Sequence, residues 1–136
     1  MNMKGTTIFL KFISFFPFAL LYLFSDFVYV VLYYLIGYRR KVVETNLRSS
    51  FPNKSEPEIK LISKKYYRFL ADQVLESIKM INISSDIIRQ RFRLNNPEEI
   101  QRHLKDGKSV VAVTGHYGNW EWGSLIISTI LQEPVL

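Results

Sequence analysis

The sequence predicts a membrane-associated helical N-terminal half followed by the beginning of an α/β domain. Three observations support this prediction. The first is a long apolar and aromatic run, residues 12–38, in which Asp26 is the only charged residue. The second is the helical periodicity of the apolar residues that follow this run. The third is a β-branched run, Ser109–Thr114, which lies between Gly107 and Gly115. The chain is therefore divided into a membrane-associated helix, a helical region and the start of an α/β domain, at residues 1–38, 39–94 and 95–136.

The composition of the 136 residues limits the possible chemistry. The chain has no cysteine, which excludes disulfides, thiolate catalysis and cysteine-ligated zinc. Its two histidines, His103 and His116, are too few for a His-rich metal cluster, so we expect no metal and no cofactor. The net charge of +6 favours a phospholipid surface, a phosphorylated lipid or an acidic carrier protein as partner. No recognition motif accompanies the basic residues, so no nucleic-acid partner is expected.

The apolar run predicts one long helix. Pro17 suits a first helical position and Gly37 suits the residue after a helix end, and the length between them gives about 30 Å of helix, close to the thickness of a bilayer core. The helix either spans a membrane or lies in its interface, and a buried core helix is the soluble alternative. The basic residues 39–41 indicate a cytoplasmic side at this end. Four polar side chains are expected to share one helix face: Tyr22, Asp26, Tyr29 and Tyr33.

Two helices are predicted in the middle of the chain. The first is a basic amphipathic helix, Arg39–Ser50, which Pro52 ends because the residue before a proline avoids helical angles. Ser55 and Glu58 have capping-box spacing and start the second helix, which continues to about Lys79. Its apolar stripe is expected to contain Ile59, Ile62, Tyr66, Phe69, Leu70, Val74 and Ile78.

The last third predicts alternating elements. A helix after Ser85, a brief strand at Phe92–Leu94 and a helix between Asn96 and Gly107 are followed by the strand Ser109–Thr114 and another helix. A further strand is expected to begin at Glu133–Leu136. Because one or two strands cannot bury both faces of a sheet, we expect the α/β domain to be incomplete as written and the chain alone to be inactive.

The turn after the predicted strand carries candidate chemistry. Gly115 and Gly118 bend the chain so that Glu121 can orient one nitrogen of His116 while the other nitrogen takes a proton. From spacing alone, a structural turn followed by a helix-start carboxylate is an equally good interpretation. Asn119 is either an oxyanion donor or a helix cap. Core packing is expected for at least one of Trp120 and Trp122.

Gly115–Glu121, Gly-His-Tyr-Gly-Asn-Trp-Glu, resembles the His-x4-Asp/Glu motif of the glycerolipid acyltransferase superfamily. The form Gly-Asn-Trp-Glu is most similar to the lipid A biosynthesis acyltransferases. Upstream features resemble the N-terminal half of that family in the same order: the aromatic N-terminal helix, Arg40–Leu47, Phe51–Pro52, and a long helix with Tyr66, Tyr67 and Phe69.

This resemblance implies a truncated α/β fold of the glycerol-3-phosphate acyltransferase type. It also implies transfer of a fatty acyl chain from acyl-acyl carrier protein to a lipid A precursor, at the cytoplasmic face of the bacterial inner membrane. His116 and Glu121 would be catalytic, Asn119 and Trp120 would contact substrate, and neither a metal nor a covalent enzyme intermediate would take part. Two alternatives stay open: another phospholipid or glycolipid acceptor, and a non-catalytic membrane-bound fragment or pseudoenzyme.

Overall fold

A computed structural model describes residues 3–131, with side chains from residue 5 to residue 127. The chain divides into two compact units, Met1–Lys79 (unit 1) and Met80–Leu136 (unit 2). The regular elements of the described residues are all helical.

Unit 1 contains four α-helices and one π-helical segment. The apolar run forms α2 and continues without a break into the π-helical segment, which ends at Gly37 with φ +63. Pro17 precedes α2 in an extended conformation instead of occupying its first turn. The elements are α1 Met3–Ser14, α2 Phe18–Val30, the π-helical segment Val31–Ile36, α3 Arg40–Ser50 and α4 Glu56–Lys79.

Helix α4 is the centre of unit 1, since it contacts α1, α2 and α3. The predicted capping box starts it: the backbone N–H of Ser55 donates to Glu58 Oε2 over 2.9 Å, and the Ser55 hydroxyl donates to the same oxygen over 2.8 Å. At the other end, Lys79 Nζ donates to the carbonyl oxygens of Ser14 and Phe16, at 2.8 and 2.9 Å. These bonds tie the end of α4 to the break between α1 and α2.

The predicted polar face of α2 packs against α4. Tyr29 and Tyr33 are buried and form the core of the unit with Tyr67 and Ala71. The Tyr67 hydroxyl donates to the carbonyl oxygen of Tyr38, which joins α4 to the segment after the π-helical segment. The contacts along this side of α2 are Tyr22 hydroxyl to Glu76 at 2.7 Å, Ser25 hydroxyl to Asp72, Asp26 to Arg68 at 3.7 Å, and the Tyr29 ring to the Arg68 guanidinium at 5.1 Å.

The predicted apolar stripe of α4 is confirmed only in part: Ile59 is buried, and Ile62, Leu70 and Ile78 are half-buried. Tyr66, Phe69 and Val74 are exposed, at 42, 44 and 45%. The buried positions instead recur every fourth residue: Ile59, Ser63, Tyr67, Ala71, Leu75 and Lys79. Small side chains occupy two of these positions, and one of them, Ala71, packs in a cluster with Tyr29 and Tyr33.

Unit 2 contains three α-helices after a short 3-10 turn, Met80–Asn82. Helix α5 forms as predicted but starts one residue earlier, at Ser85, where the Ser84 hydroxyl accepts the backbone N–H of Ile87. Helix α6 follows Asn96 and ends before Gly107, which adopts φ +72. Helix α7 contacts both of the others. Their bounds are α5 Ser85–Arg91, α6 Pro97–Lys105 and α7 Glu121–Leu131.

The predicted α/β fold of the glycerol-3-phosphate acyltransferase type is wrong for the residues that the structure describes. Neither Phe92–Leu94 nor Ser109–Thr114 forms a strand, and no sheet is present within residues 3–131. A strand needs a neighbour to complete its backbone hydrogen bonds, and no neighbour lies beside residues 109–114 in this range. Val111 and Val113 are accordingly 87 and 93% exposed. The strand expected at Glu133–Leu136 lies outside the described residues.

Candidate active site

The residues around His116 form a tight turn. The backbone N–H of Tyr117 donates to the carbonyl oxygen of Gly115 over 2.8 Å, which places His116 at the centre of a three-residue turn. Gly118 follows with φ +61, a left-handed conformation in which a side chain would be strained. His116 and Tyr117 are consequently exposed on the outside of this turn.

The His116 ring lies against a tryptophan. The ring centroids of His116 and Trp120 are 4.6 Å apart with an interplanar angle of 64°, an edge-to-face arrangement. Trp120 is 39% exposed, so the ring pair is open to solvent. Of the four predicted site residues, the structure thus brings the side chains of His116 and Trp120 into contact.

The other two predicted residues lie at the start of α7. Asn119 is half-buried, and its backbone carbonyl accepts the N–H of Trp122 over 3.2 Å, as expected for a residue at a helix start. Glu121 is the first residue of α7 and is half-buried, and its carbonyl accepts a 2.8 Å hydrogen bond from the Ser124 hydroxyl. The ring contact that orients His116 in this structure is the one with Trp120.

Helix α7 is held in place by apolar packing within unit 2. Trp122 and Ile126 are 4 and 1% exposed, and Ile88 of α5 is 4% exposed. Trp122 therefore packs in the core, as expected for at least one of the two tryptophans. Phe92 lies beside Gly123, where a Cβ would make an ordinary van der Waals contact of 3.6 Å with its ring carbon Cζ.

These supporting residues were not recognised from the sequence. Phe92 was assigned to a strand, and Ile88 was given no role. A glycine in the first turn of a helix, as at Gly123, gives no sequence signal for its neighbours, and the packing of Phe92 and Ile88 depends on contacts between helices.

Three other places where a functional site could lie are a metal-binding cluster, His103 and a groove in unit 1. No group of three or more His, Asp or Glu side chains gathers within the described part of the chain in a way that would hold a metal ion. His103 lies on α6, and its backbone carbonyl accepts the N–H of Lys108 over 3.0 Å. In unit 1, a groove of about 340 Å³ lies between α3 and α4, lined by residues that include Tyr38, Asn46 and Tyr66, and none of the predicted site residues lines it.

Comparison with known proteins gives one result that bears on the whole chain. No curated relative and no solved structure matches it. The family described as bacterial lipid A biosynthesis acyltransferase matches residues 6–133, a range that contains most of α1, all of α2 to α7 and the His116 turn. This match confirms the resemblance seen in the Gly115–Glu121 motif and in the segments before it. The chain therefore belongs to the bacterial lipid A biosynthesis acyltransferase family.

Proposed function

We propose that this protein transfers a fatty acyl chain from acyl-acyl carrier protein to a hydroxyl group of a lipid A precursor, with His116 as the general base. The observation that carries the proposal is the exposed turn centred on His116, immediately before α7, inside the range that matches an acyltransferase family. An exposed imidazole at a tight turn is accessible to a hydroxyl on a bulky lipid acceptor, which a buried histidine would not be.

The proposed reaction is direct acyl transfer. His116 removes the proton from the acceptor hydroxyl, and the oxygen attacks the carbonyl carbon of the thioester. A C–O bond forms and the C–S bond breaks, and the proton held by His116 passes to the thiolate of the departing carrier. This scheme needs neither a metal ion nor a covalent acyl-enzyme.

Glu121 is proposed as a positioning residue. It lies five residues after His116 at the first position of α7, and the turn at Gly118 reverses the chain between them. A carboxylate that accepts a hydrogen bond from one imidazole nitrogen fixes the ring and stabilises the imidazolium formed during proton transfer. Asn119 is proposed to donate a hydrogen bond to substrate, and Trp120, which already contacts the His116 ring, is proposed to border the acyl chain.

The charge and polarity of the chain support the proposed partners and location. An acyl carrier protein is acidic, and a net charge of +6 favours encounter with it. The lipid A biosynthesis family is membrane-associated in general, and the stretch Phe18–Ile36 is, by length and composition, able to enter a membrane. Arg39, Arg40 and Lys41 at its end favour the cytoplasmic face of the inner membrane.

An acceptor panel tests this proposal. The complete gene product, in the membranes of a bacterial host, is given radiolabelled acyl-acyl carrier protein together with a lipid A precursor, a lysophospholipid or a glycolipid. We expect label in the lipid A precursor at a rate at least about tenfold above the other acceptors. Preferential acylation of another lipid would contradict the assigned acceptor, and transfer to none would contradict the assigned function.

A further inference from the structure

We propose that unit 1 attaches to one leaflet of a membrane rich in anionic phospholipid, with α1 and α2 lying in the plane of the interface and not crossing the bilayer. This inference concerns unit 1 alone and does not rest on the catalytic proposal. Membrane attachment is measured without turnover, so the failure of one proposal can be told from the failure of the other.

Helices α1 and α2 present one shared apolar face. Only 22% of the stretch Phe18–Ile36 is buried, which is far less than a core helix requires. The Phe16 ring joins the two helices, with its centroid 5.1 Å from that of Phe12 and 6.2 Å from that of Phe24. The exposed apolar side chains of this region are Ile8, Phe9 and Phe12 of α1, Phe15 just after it, Leu23, Phe24, Phe27 and Val30 of α2, and Leu35 and Ile36 of the π-helical segment. A soluble monomer rarely exposes so large an apolar patch.

The partner helix α4 argues against a spanning orientation. It lies antiparallel beside α2 and contacts it with ionisable side chains at successive levels, from Tyr22 to Tyr34. These side chains are Glu76, Asp72, Arg68 and Lys64. If α2 crossed a bilayer, the hydrocarbon would have to enclose all of them, and each charge at that depth is costly.

An in-plane orientation removes this cost. The exposed positions Leu23, Phe27 and Val30 lie on the side of α2 opposite to Tyr22, Tyr29 and the other residues that contact α4. When the apolar side enters the interface, α4 and its charges therefore lie toward water. Such a helix pair buries its apolar face at the boundary between headgroups and acyl chains.

The charge distribution identifies the kind of membrane. Unit 1 holds 12 of the 18 basic residues and 6 of the 12 acidic residues, so the whole net charge of +6 belongs to it. Exposed basic residues also flank the apolar face, with Lys11 on α1 and Arg39 and Lys41 after the π-helical segment. A negatively charged leaflet attracts this arrangement. A second copy of unit 1 would bring like charges together, so self-association through this face is disfavoured.

Topology labelling tests the in-plane orientation. Because the chain has no cysteine, Lys11→Cys and Thr45→Cys each introduce a unique thiol, one before and one after the stretch Phe18–Ile36. The variants of the full chain are expressed in a bacterial host and treated with a membrane-impermeant maleimide. We expect both to react in inverted vesicles and neither in intact spheroplasts, with detergent-solubilised samples giving full labelling. Labelling of the two positions from opposite sides would overturn the proposal.

Vesicle binding tests the face and its partner. Leu23→Glu/Phe27→Glu changes two side chains that are each 66% exposed, and Leu61→Glu/Phe69→Glu is the matched control on the outer side of α4, at 54 and 44% exposure. We expect the first pair to weaken binding to phosphatidylglycerol-containing vesicles at least about 100-fold, and the control pair to change it less than about threefold. Pure phosphatidylcholine vesicles should bind the wild-type chain at least about tenfold more weakly. Equal binding by both double variants, or no preference for anionic lipid, would contradict the assigned surface.

Discussion

Lys79 is a buried cation at the point where three helices of unit 1 meet. It is 6% exposed and donates to the carbonyl oxygens of Ser14 and Phe16, next to the break at Pro17. These carbonyls follow the end of α1 and have lost their partners within that helix. The ammonium group therefore caps α1 from outside and fixes where α2 begins.

Replacing Lys79 by Met is expected to lower the free energy of unfolding of unit 1 by about 2–4 kcal/mol. The unbranched methionine keeps most of the side-chain volume but leaves two carbonyls in a buried region without their donor. Denaturant unfolding in a mild detergent, followed by circular dichroism, measures the change. Lys65→Met, at an exposed position of the same helix, is the control and should shift stability by less than about 0.5 kcal/mol. Equal effects of the two variants would refute the capping role.

Glu58 makes the stability of unit 1 depend on pH in the acid range. The Lys54 ammonium, followed by the backbone N–H and the hydroxyl of Ser55, lowers the pKa of Glu58 to about 2. Because the folded-state pKa is below the ordinary value, the ionised carboxylate stabilises the fold above about pH 4.5, and this contribution is lost as the pH falls toward 2.

Glu58→Gln is therefore expected to lower the melting temperature at pH 7 and to leave it nearly unchanged near pH 2. The decrease at pH 7 should be no more than a few degrees, because the pair is at the surface and screened by solvent. Thermal unfolding of both proteins across this pH range measures it. A difference that stays constant from pH 7 to pH 2 would show that the carboxylate charge is not the cause.

At the scale of elements, the contact between α2 and α4 depends on matching large side chains with small ones. The rings of Tyr29 on α2 and Tyr33 on the π-helical segment that continues it pack beside Tyr67 and Ala71 on α4. Ala71 is fully buried, so it marks a place where the two helices approach closely.

Ala71→Leu is expected to destabilise unit 1 by about 1–3 kcal/mol, because the added atoms have no space between the helices. The same denaturant unfolding experiment measures it. Ala19→Leu makes the identical change at an exposed position of α2 and should cost less than about 0.5 kcal/mol. If both substitutions are tolerated equally, the close approach at Ala71 does not exist.

The sequence was sufficient for the helices whose ends are marked by local chemistry. The pair Ser55 and Glu58 acts through bonds within a few residues, and the glycines at 37 and 107 act through their own backbone angles. The start of α5 was predicted one residue late, because its cap is Ser84. The buried line of α4 was not predictable in the same way, because it depends on contacts with other helices, as at Ala71, which packs against Tyr29 and Tyr33.

At the scale of the whole molecule, two kinds of surface are separated along the chain. Unit 1 carries the exposed apolar face and all of the net charge, whereas unit 2, with six basic and six acidic residues, carries the His116 turn. The predicted strand before that turn failed for a non-local reason. Its β-branched composition favours strand, but a strand forms only beside another one, which the described residues do not supply.

The turn residues themselves were predicted from the motif, since glycines that allow a reversal act locally. The contact of His116 with Trp120 was not predicted, because edge-to-face ring packing depends on the path of the turn between them. The packing of Ile88 and Phe92 near α7 was not predicted either, because it depends on how α5 packs against α7.

The role of His116 is tested most directly by the rate of acyl transfer in the complete gene product, kept in its membrane at matched protein level. His116→Ala is expected to lower the single-turnover rate by about two to four orders of magnitude, the usual effect of losing a positioned base. Glu121→Ala should cost less, and the double variant should fall little below His116→Ala, since the two residues act as a unit. His103→Ala, the control on α6, should change the rate little. A His116→Ala protein that transfers acyl chains at the wild-type rate would contradict the account.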